Sequence, residues 1–220
     1  MSSPLADFRH IGTKIVCVAR NYGKHVAEMG YVNPEKPVVF GKTLNTYLAE
    51  GEGELETPEG CELLHHEVEL GLVIAKKGRW IKKEEAMDYI GGYTIVLDMT
   101  ARDLQAKLRE AQQPWYLSKS FDTSCAVGKF VDAKSVPDPH ALDIYCKVNG
   151  ELRQKASTSE MLFDIPTLLE YVTKYVSLER GDMVLTGTPD GVGSCLPGDV
   201  LDIGIEGHVT AQFTVGPKRH

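Results

Sequence analysis

The sequence lacks several features that mark membrane, secreted and redox proteins. It has no run of 18 apolar residues and no apolar segment near Met1, so neither a membrane span nor a secretory signal is predicted. Its five cysteines are odd in number and widely spaced, without a CxxC pair, which argues against a disulfide framework and against a zinc or dithiol site. These features indicate a reducing compartment.

The chain also lacks the excess of basic residues that nucleic acids and anionic membranes attract. Its formal net charge is −7 and its isoelectric point is about 5.5. A length of 220 residues fits one domain with a substantial core. We therefore expect small molecules, rather than nucleic acid or membrane, as the main partners.

The acidic residues of two strand-like segments offer the clearest chemistry. In the segment from His65 to Ile74, Glu67 and Glu69 are two residues apart, so in a strand both project from the same face. Two close carboxylates need a shared proton or a cation between them, and an edge strand with a solvated acidic face is the structural alternative. A second strand-like run, from Gly91 to Thr100, carries Asp98 near its end. A third carboxylate there would complete a three-oxygen face for a hard divalent ion.

A histidine and a glutamate share one face of a short predicted helix. The apolar run from Lys14 to Ala19 reads as a strand that leads into this helix, where His25 and Glu28 are three residues apart. The carboxylate could orient the imidazole as a general base, or the two could be an ordinary exposed helix pair. Gly23 and Gly30 bracket the segment, as expected for a lid.

The rest of the chain supplies further polar candidates and structural signals. A helix is predicted from Met99 to Glu110, with Thr100 as N-cap and Asp103 as a capping-box acid. Arg102 and Gln105 lie on its first turns and could hold an anionic ligand. Further expected elements are a strand over 38–42, short helices over 82–89 and 163–175, a hairpin at Asn149-Gly150 and a strand-rich C-terminal half. The glycine-rich loop 187–193 lacks the GK[ST] ending of a phosphate-binding loop, but Thr188 could offer its hydroxyl and amide groups to a carboxylate.

Five motifs, taken together and in order, resemble the fumarylacetoacetate hydrolase family. They are Arg20-Asn21-Tyr22-x-x-His25, Leu64-His65-His66-Glu67-Val68-Glu69-Leu70-Gly71, Leu97-Asp98-Met99-Thr100-Ala101-Arg102-Asp103, Ser118-Lys119-Ser120-Phe121 and Leu185-Thr186-Gly187-Thr188-Pro189-x-Gly191-Val192-Gly193. The similarity runs from about Lys14 to Val215 and is greatest to members that hydrolyse acylpyruvates and act on oxaloacetate. Two positions depart from the family pattern: Ala19 replaces the usual glycine, and Phe40-Gly41-Lys42-Thr43 keeps the lysine but loses a rigid Pro turn.

The resemblance implies an α+β fold with a mixed β-roll core, short flanking helices and an N-terminal lid helix. It places one catalytic domain at 14–220 after an extension at 1–13, and it implies a homodimer in the mitochondrial matrix, with the cytosol as a second location. Mg²⁺ or Mn²⁺ would be held by Glu67, Glu69 and Asp98. The remaining assignments are His25, Glu28 and Lys119 as catalytic residues and Arg20, Arg102, Gln105, Lys119 and Thr188 as substrate-binding residues.

The implied activity is metal-dependent hydrolysis of 3-acylpyruvates to pyruvate and a carboxylic acid. Because the metal stabilises the enolate of a 2-oxo acid, decarboxylation and keto–enol tautomerisation of oxaloacetate are expected at the same site. The residue types do not rank these three reactions. A related hydratase or isomerase of 2-oxo acids, and a non-catalytic protein that binds oxo acids or metal, are the alternatives.

Overall fold

The computed structural model describes residues 3–218, which form sixteen strands and five α-helices. The strands are β1 Ile15–Ala19, β2 Val38–Lys42, β3 Tyr47–Ala49, β4 Leu55–Thr57, β5 Leu64–His66, β6 Val68–Ile74, β7 Ile90–Asp98, β8 Thr100–Ala101, β9 Cys125–Val127, β10 Val131–Asp132, β11 Asp143–Val148, β12 Glu151–Ser157, β13 Met183–Leu185, β14 Gly193–Cys195, β15 Val200–Ile205 and β16 Val209–Lys218. The helices are α1 Phe8–Ile11, α2 Gly23–Glu28, α3 Arg102–Glu110, α4 Tyr116–Lys119 and α5 Ile165–Thr173. Short 3₁₀ helices occur at Leu44–Thr46, Lys83–Tyr89, Ala133–Ser135 and Thr158–Glu160.

The strands form three sheets. An eight-stranded mixed sheet has the order β2-β1-β13-β6-β7-β9-β3, with β10 paired to β7. A five-stranded sheet has the order β12-β11-β15-β16-β4, and a three-stranded sheet has the order β14-β5-β8. With both parallel and antiparallel pairs and only short helices, this architecture is the predicted α+β class with a mixed β-roll core.

Strand β6 lies between two hydrophobic layers, which is why its sequence is almost entirely apolar. Val68, Leu70 and Leu72 belong to the larger core, together with Ile144 and Ile203 of the five-stranded sheet. Val73 belongs to a second core cluster on the other side. Since alternate residues of a strand face opposite sides, Glu69 lies on the face opposite Val68 and Leu70, as predicted.

The hairpin formed by β6 and β7 continues, after a break in each strand, as the pair β5 and β8 of the three-stranded sheet. Glu67 stands at the break between β5 and β6, and Asp98 is the last residue of β7 before the break that leads to β8. The amide of Asp98 donates a 2.8 Å hydrogen bond to the carbonyl of Glu67 across the two breaks. Glu67 therefore lies at a junction between sheets rather than within one regular strand with Glu69.

Several predicted elements are confirmed. Asn149 and Gly150 both have positive φ, 52° and 81°, as a tight hairpin turn between β11 and β12 requires. Helix α5 begins after Asp164, whose side chain accepts a hydrogen bond from the amide of Thr167, and its apolar face is buried as expected. The helix predicted over 82–89 is a 3₁₀ helix.

The predicted N-cap at Thr100 is wrong. Thr100 pairs with His65 in the three-stranded sheet, and α3 begins two residues later at Arg102. Strand pairing has overridden the local capping signal. Asp103 is nevertheless structural, since its carboxylate accepts a 3.1 Å hydrogen bond from the amide of Glu62. Among residues 3–218, every helix is too short or too polar to cross a membrane.

Candidate active site

Three buried carboxylates meet at the junction between the eight-stranded and the three-stranded sheet. Glu67, Glu69 and Asp98 each offer an oxygen, and these oxygens lie within 4.8 Å of one another. The three residues are at most 5% exposed. The amide of Gly187 donates a 2.7 Å hydrogen bond to Oε2 of Glu69, which fixes this carboxylate from the 187–193 loop. The solvated-face alternative is therefore wrong.

The predicted cations Lys119 and Arg102 contact this carboxylate cluster. Nζ of Lys119 lies 2.8 Å from Oε2 of Glu67 and 2.5 Å from Oδ2 of Asp98, bridging the two groups. The guanidinium of Arg102 donates to Oε1 of Glu67 and, at 2.7 Å, to Oε1 of Gln105. The predicted grouping of Arg102, Gln105 and Lys119 at one site is thus observed.

The side chain of Lys42 is fully buried beside the carboxylates. The sequence assigned it no clear role, because the neighbouring Gly41 and Thr43 depart from the family pattern. Its ammonium donates to the backbone carbonyls of Lys119 and Ser124, the latter at 2.9 Å. The ammonium also lies 2.8 Å from Oδ1 of Asp98. The two groups form an ion pair, but their geometry does not meet the angles of a hydrogen bond. Lys42 therefore supports the segment that carries Lys119 while adding positive charge beside Asp98.

Burial and neighbouring charges together set the pKa values of the ionisable groups in the cluster: they act in the same direction on Glu69 and in opposite directions on Glu67 and Lys119. Burial and the negative charges of Asp98 and Glu67 raise the pKa of Glu69 well above its usual range. Burial also disfavours ionised Glu67, but Lys119 and Arg102 outweigh it and hold the pKa of Glu67 below its usual range. For Lys119, burial opposes the charged form, but the attraction of Asp98 and Glu67 raises its pKa.

The cluster fits a hard divalent cation on its own geometry. All three donors are carboxylate oxygens, the ligand type that Mg²⁺ and Mn²⁺ prefer and that Zn²⁺ uses less readily than nitrogen or sulfur. The ammonium of Lys119 already lies between two of these carboxylates, which shows that their spacing accommodates a cation. Oδ1 of Asp98 is buried without a hydrogen-bond donor among residues 3–218, and its near neighbour is the ammonium of Lys42, so this oxygen already faces a cation.

The predicted histidine–glutamate pair lies above the cluster on α2. Nδ1 of His25 is 3.2 Å from Oε2 of Glu28, and the imidazole is buried and lines the same cavity as the carboxylates. Oε1 of Glu28 accepts a 3.0 Å hydrogen bond from the amide of Gly191, which ties the helix to the glycine-rich loop. Because the Glu28 carboxylate accepts a hydrogen bond from Nδ1–H, Nε2 of His25 is left unprotonated and able to accept a proton. The exposed-pair alternative is wrong for His25.

Thr188 and Arg20 also line this cavity. The hydroxyl of Thr188 donates to the carbonyl of Val68 at 2.9 Å, so it is occupied within the protein. Its amide N–H has no acceptor among the described residues and is the group available to an anion. Arg20 has φ = 59°, an uncommon value for a residue other than glycine, and follows directly after β1.

Gln154 is a buried residue of the site that sequence analysis missed. Its Oε1 accepts hydrogen bonds from the amide of Val68 at 3.0 Å and from Nδ1 of His66 at 2.9 Å. Its Nε2 donates to Oγ1 of Thr188 and to the carbonyl of Pro189, both at 2.9 Å. One side chain from the five-stranded sheet therefore joins the carboxylate-bearing strand to the glycine-rich loop. The alternation of β12 would have placed Gln154 on the buried face with Ala156, but no sequence signal identifies its distant partners.

Two adjacent histidines, also without a predicted role, have opposite tautomers. The amide of Val68 fixes the orientation of Gln154, so His66 must donate from Nδ1. The Nε of Arg102 donates to Nδ1 of His65 at 3.4 Å, so that nitrogen is an acceptor. Burial and the charge of Arg102 lower the pKa of His65 to about 4, which keeps it neutral beside the guanidinium.

Comparison with known proteins identifies the family. The family model of the fumarylacetoacetate (FAA) hydrolase C-terminal region matches residues 14–216. The chain belongs to the fumarylacetoacetate hydrolase family. The resemblance inferred from the five motifs is confirmed, and so is the fold class that it implied.

Relatives within the fumarylacetoacetate hydrolase family are similar over nearly their whole length. The mitochondrial oxaloacetate tautomerase fahd-1 of Caenorhabditis elegans is 52% identical over 97% of this chain and 99% of that protein. The mitochondrial oxaloacetate decarboxylase of Dictyostelium discoideum is 44% identical over 94% and 96%, respectively. The crystal structure of fumarylpyruvate hydrolase from Pseudomonas aeruginosa, in complex with Mn²⁺ and pyruvate, is 34% identical, with a TM-score of 0.85 over 92% of this chain and 89% of that one. The expected similarity to family members that act on oxaloacetate is thus confirmed.

Proposed function

We propose that the protein is a metal-dependent enzyme that forms the enolate of short 2-oxo acids. Its reactions would be tautomerisation and decarboxylation of oxaloacetate and hydrolysis of 3-acylpyruvates such as acetylpyruvate and fumarylpyruvate. The observation that carries this proposal is the buried cluster of three carboxylates facing a cavity lined by His25, Arg102 and Lys119. The names of the relatives and the pyruvate-bound hydrolase structure support it.

The metal centre would be formed by Glu67, Glu69 and Asp98. Bound there, Mg²⁺ or Mn²⁺ would supply positive charge for the carboxylate and keto oxygens of a 2-oxo acid and for the enolate that develops from it. We propose Mg²⁺ or Mn²⁺ as the resident ion because the donors are all oxygens, and the Mn²⁺ of the Pseudomonas hydrolase supports this chemical class.

The cations of the cavity would offset the remaining negative charge of the substrate. Arg102, on the first turn of α3, presents a planar guanidinium suited to a carboxylate, and Gln105 fixes its orientation. Lys119 is 3% exposed, so its charge acts with little screening by water. The free amide of Thr188 would add a hydrogen bond to the same anion.

His25 would be the proton-transfer group of the site, and the reactions differ in which proton it takes. In hydrolysis, Nε2 takes a proton from water as the hydroxide adds to the distal carbonyl; the bond to the pyruvate unit then breaks, which releases the carboxylic acid, and the pyruvate enolate takes the proton back from Nε2. In tautomerisation, the same nitrogen takes a proton from the carbon between the two carbonyls, and the keto oxygen gains a proton to give the enol. Decarboxylation breaks a carbon–carbon bond by loss of CO₂ and needs no base at that step. The intact pair of His25 and Glu28 argues against a non-catalytic binding protein.

Turnover of acetylpyruvate and oxaloacetate, with and without Mg²⁺, tests the proposal. We expect both substrates to be consumed only with the divalent ion present. Glu69→Gln should lose both metal binding by calorimetry and turnover, whereas Glu84→Gln, at an exposed acid remote from the cavity, should retain both. Unchanged Mg²⁺ affinity in Glu69→Gln would remove the metal assignment, and metal binding without turnover of either substrate would favour the binding protein.

We also propose that the protein is a homodimer located in the mitochondrial matrix. The nematode and Dictyostelium relatives, both named as mitochondrial proteins, support the location. Two exposed apolar side chains, Val39 on the edge strand β2 and Tyr116 on α4, offer a surface for a second copy. Sedimentation analysis tests the dimer, and imaging of the tagged full chain in its own cells tests the location.

A further inference from the structure

One face of α3 extends from the carboxylate cluster to the mouth of the cavity. Arg102, Gln105 and Arg109 are spaced three and four residues apart, so they lie on one side of the helix, and all three line the cavity. Arg102 contacts Glu67 at the inner end. At 1.5 Å per residue, Arg109 is about 10 Å further along the helix axis. The face therefore offers cationic groups at two separate depths.

Arg109 and Arg20 converge on the ring of Tyr31 at the outer end. The guanidinium carbon of Arg20 is 4.0 Å from the ring centre, and that of Arg109 is 5.0 Å from it. Arg109 also donates a hydrogen bond to the hydroxyl of Tyr31. The ring thus orients two guanidinium groups towards the same end of the cavity.

No carboxylate among residues 3–218 neutralises the charges of these two arginines. Lys119, Lys42 and Arg102 each have a carboxylate partner. Within residues 3–218, neither Arg20 nor Arg109 lies within ion-pair distance of an acidic group. A cavity with uncompensated guanidinium groups attracts an anion, and the planar donors suit a carboxylate in particular.

We propose that Arg20 and Arg109, oriented by Tyr31, bind the second carboxylate of a dicarboxylic 2-oxo acid. This inference rests on the proposed function for the placement of the first carboxylate and keto group at the inner end. It makes Arg109 a specificity-determining residue that favours substrates with a charged far end, such as oxaloacetate and fumarylpyruvate, over acetylpyruvate. Because Arg109 is exposed, water and salt weaken its effect, and we expect a change of about tenfold rather than an absolute requirement.

A matched pair of unreactive ligands tests this directly. 2-Oxoglutarate and 2-oxopentanoate have the same five-carbon chain and differ only in the far carboxylate. In neither is the carbon next to the keto group flanked by a second carbonyl, as the proposed reactions need. Their dissociation constants would be measured by calorimetry on the full chain with saturating Mg²⁺, for the wild type, Arg109→Gln, Tyr31→Phe and Lys107→Gln. The last variant removes a charge from the same helix at a residue that does not line the cavity.

We expect the wild type and Lys107→Gln to prefer 2-oxoglutarate, and Arg109→Gln to lose about tenfold in affinity for it while binding 2-oxopentanoate within about twofold of wild type. Tyr31→Phe should show a smaller loss of the same selectivity, since it removes only the hydroxyl that orients Arg109. Equal affinities in the wild type, equal losses for both ligands in Arg109→Gln, or binding of neither ligand would overturn the inference. Preserved selectivity without turnover of oxaloacetate or acetylpyruvate would leave the carboxylate subsite standing and refute only the proposed reaction.

Discussion

Replacement of Gln154 by alanine should be among the most damaging single substitutions at the site, although Gln154 touches none of the three carboxylates. The change removes all four hydrogen bonds of the side chain. The hydroxyl of Thr188 keeps its bond to Val68, but the Nδ1–H of His66, the amide of Val68 and the carbonyl of Pro189 lose these partners.

The magnitude follows from those three groups. A buried polar group left without a partner costs roughly 1–3 kcal/mol, and water entering the space of the missing side chain recovers part of this. We therefore expect the free energy of unfolding to fall by about 3–5 kcal/mol. Because Val68 lies between Glu67 and Glu69, Mg²⁺ affinity should fall as well.

Urea unfolding of the metal-free protein measures the first effect, and calorimetric titration with Mg²⁺ measures the second. Gln154→Leu separates shape from hydrogen bonding, since leucine fills much of the volume but satisfies none of the polar groups, and it should be nearly as destabilising as alanine. Gln212→Ala is the matched control: Gln212 is exposed on a strand and bonds Asp202, so its loss should cost less than about 0.5 kcal/mol. A cost for Gln154→Ala no larger than that of the control would refute the account of Gln154 as the link between strand and loop.

Three further predictions concern the base, the lid and acid stability. His25→Ala should depress acylpyruvate hydrolysis by roughly 10²–10⁴-fold and oxaloacetate decarboxylation less, with Glu28→Gln milder in the same direction; equal losses in both reactions would show that His25 is not the water-activating base. Residues 21 to 32 should exchange amide hydrogens more slowly when oxalate binds to the Mg²⁺-loaded protein, and identical exchange in both states would rule out lid closure. Asp182 is buried, but hydrogen bonds from Lys14, the amide of Glu179 and Thr13 outweigh burial and lower its pKa. The ionised carboxylate therefore stabilises the folded protein above the ordinary aspartate pKa, and this stabilisation is lost as the pH falls through the lower pKa of the folded state. Asp182→Asn should therefore destabilise the protein at pH 7 and much less near pH 2, as measured by thermal unfolding; an equal loss at both pH values would contradict the ionic contribution.

The carboxylate cluster was predictable because its pattern is local. Glu67 and Glu69 are only two residues apart, which keeps their carboxylates close even though Glu67 lies at the break before β6 and not within the strand, and Asp98 ends a second apolar run. Antiparallel pairing of β6 with β7 brings these segments together. Sequence also placed His25 and Glu28 correctly, since helix geometry alone brings them together.

The remaining contacts depend on distant segments and were not predictable from local patterns. Gln154 is 86 residues from its partner Val68, and Lys42 is 77 residues from the carbonyl it holds at Lys119. At Thr100 the local pattern was misleading: it predicted a helix N-cap, but the residue pairs with His65 in a sheet instead. The role of Lys119 was inferred from the family resemblance, since an isolated lysine carries little information by itself, whereas the glycine-rich loop already suggested Thr188 as a donor to a carboxylate.

The break in the β6–β7 hairpin has a consequence for how metal preference could change in this protein. Glu67 and Asp98 lie where the hairpin passes from one sheet to another, whereas Glu69 belongs wholly to the eight-stranded sheet. A small sliding of one sheet against the other would therefore alter the spacing of the three oxygens without any change to the ligands themselves. Selection of variants for a larger or smaller ion should accordingly recover substitutions among the apolar residues that the three-stranded sheet contributes to the core, Leu64, Ala101 and Cys195, as well as at the carboxylates.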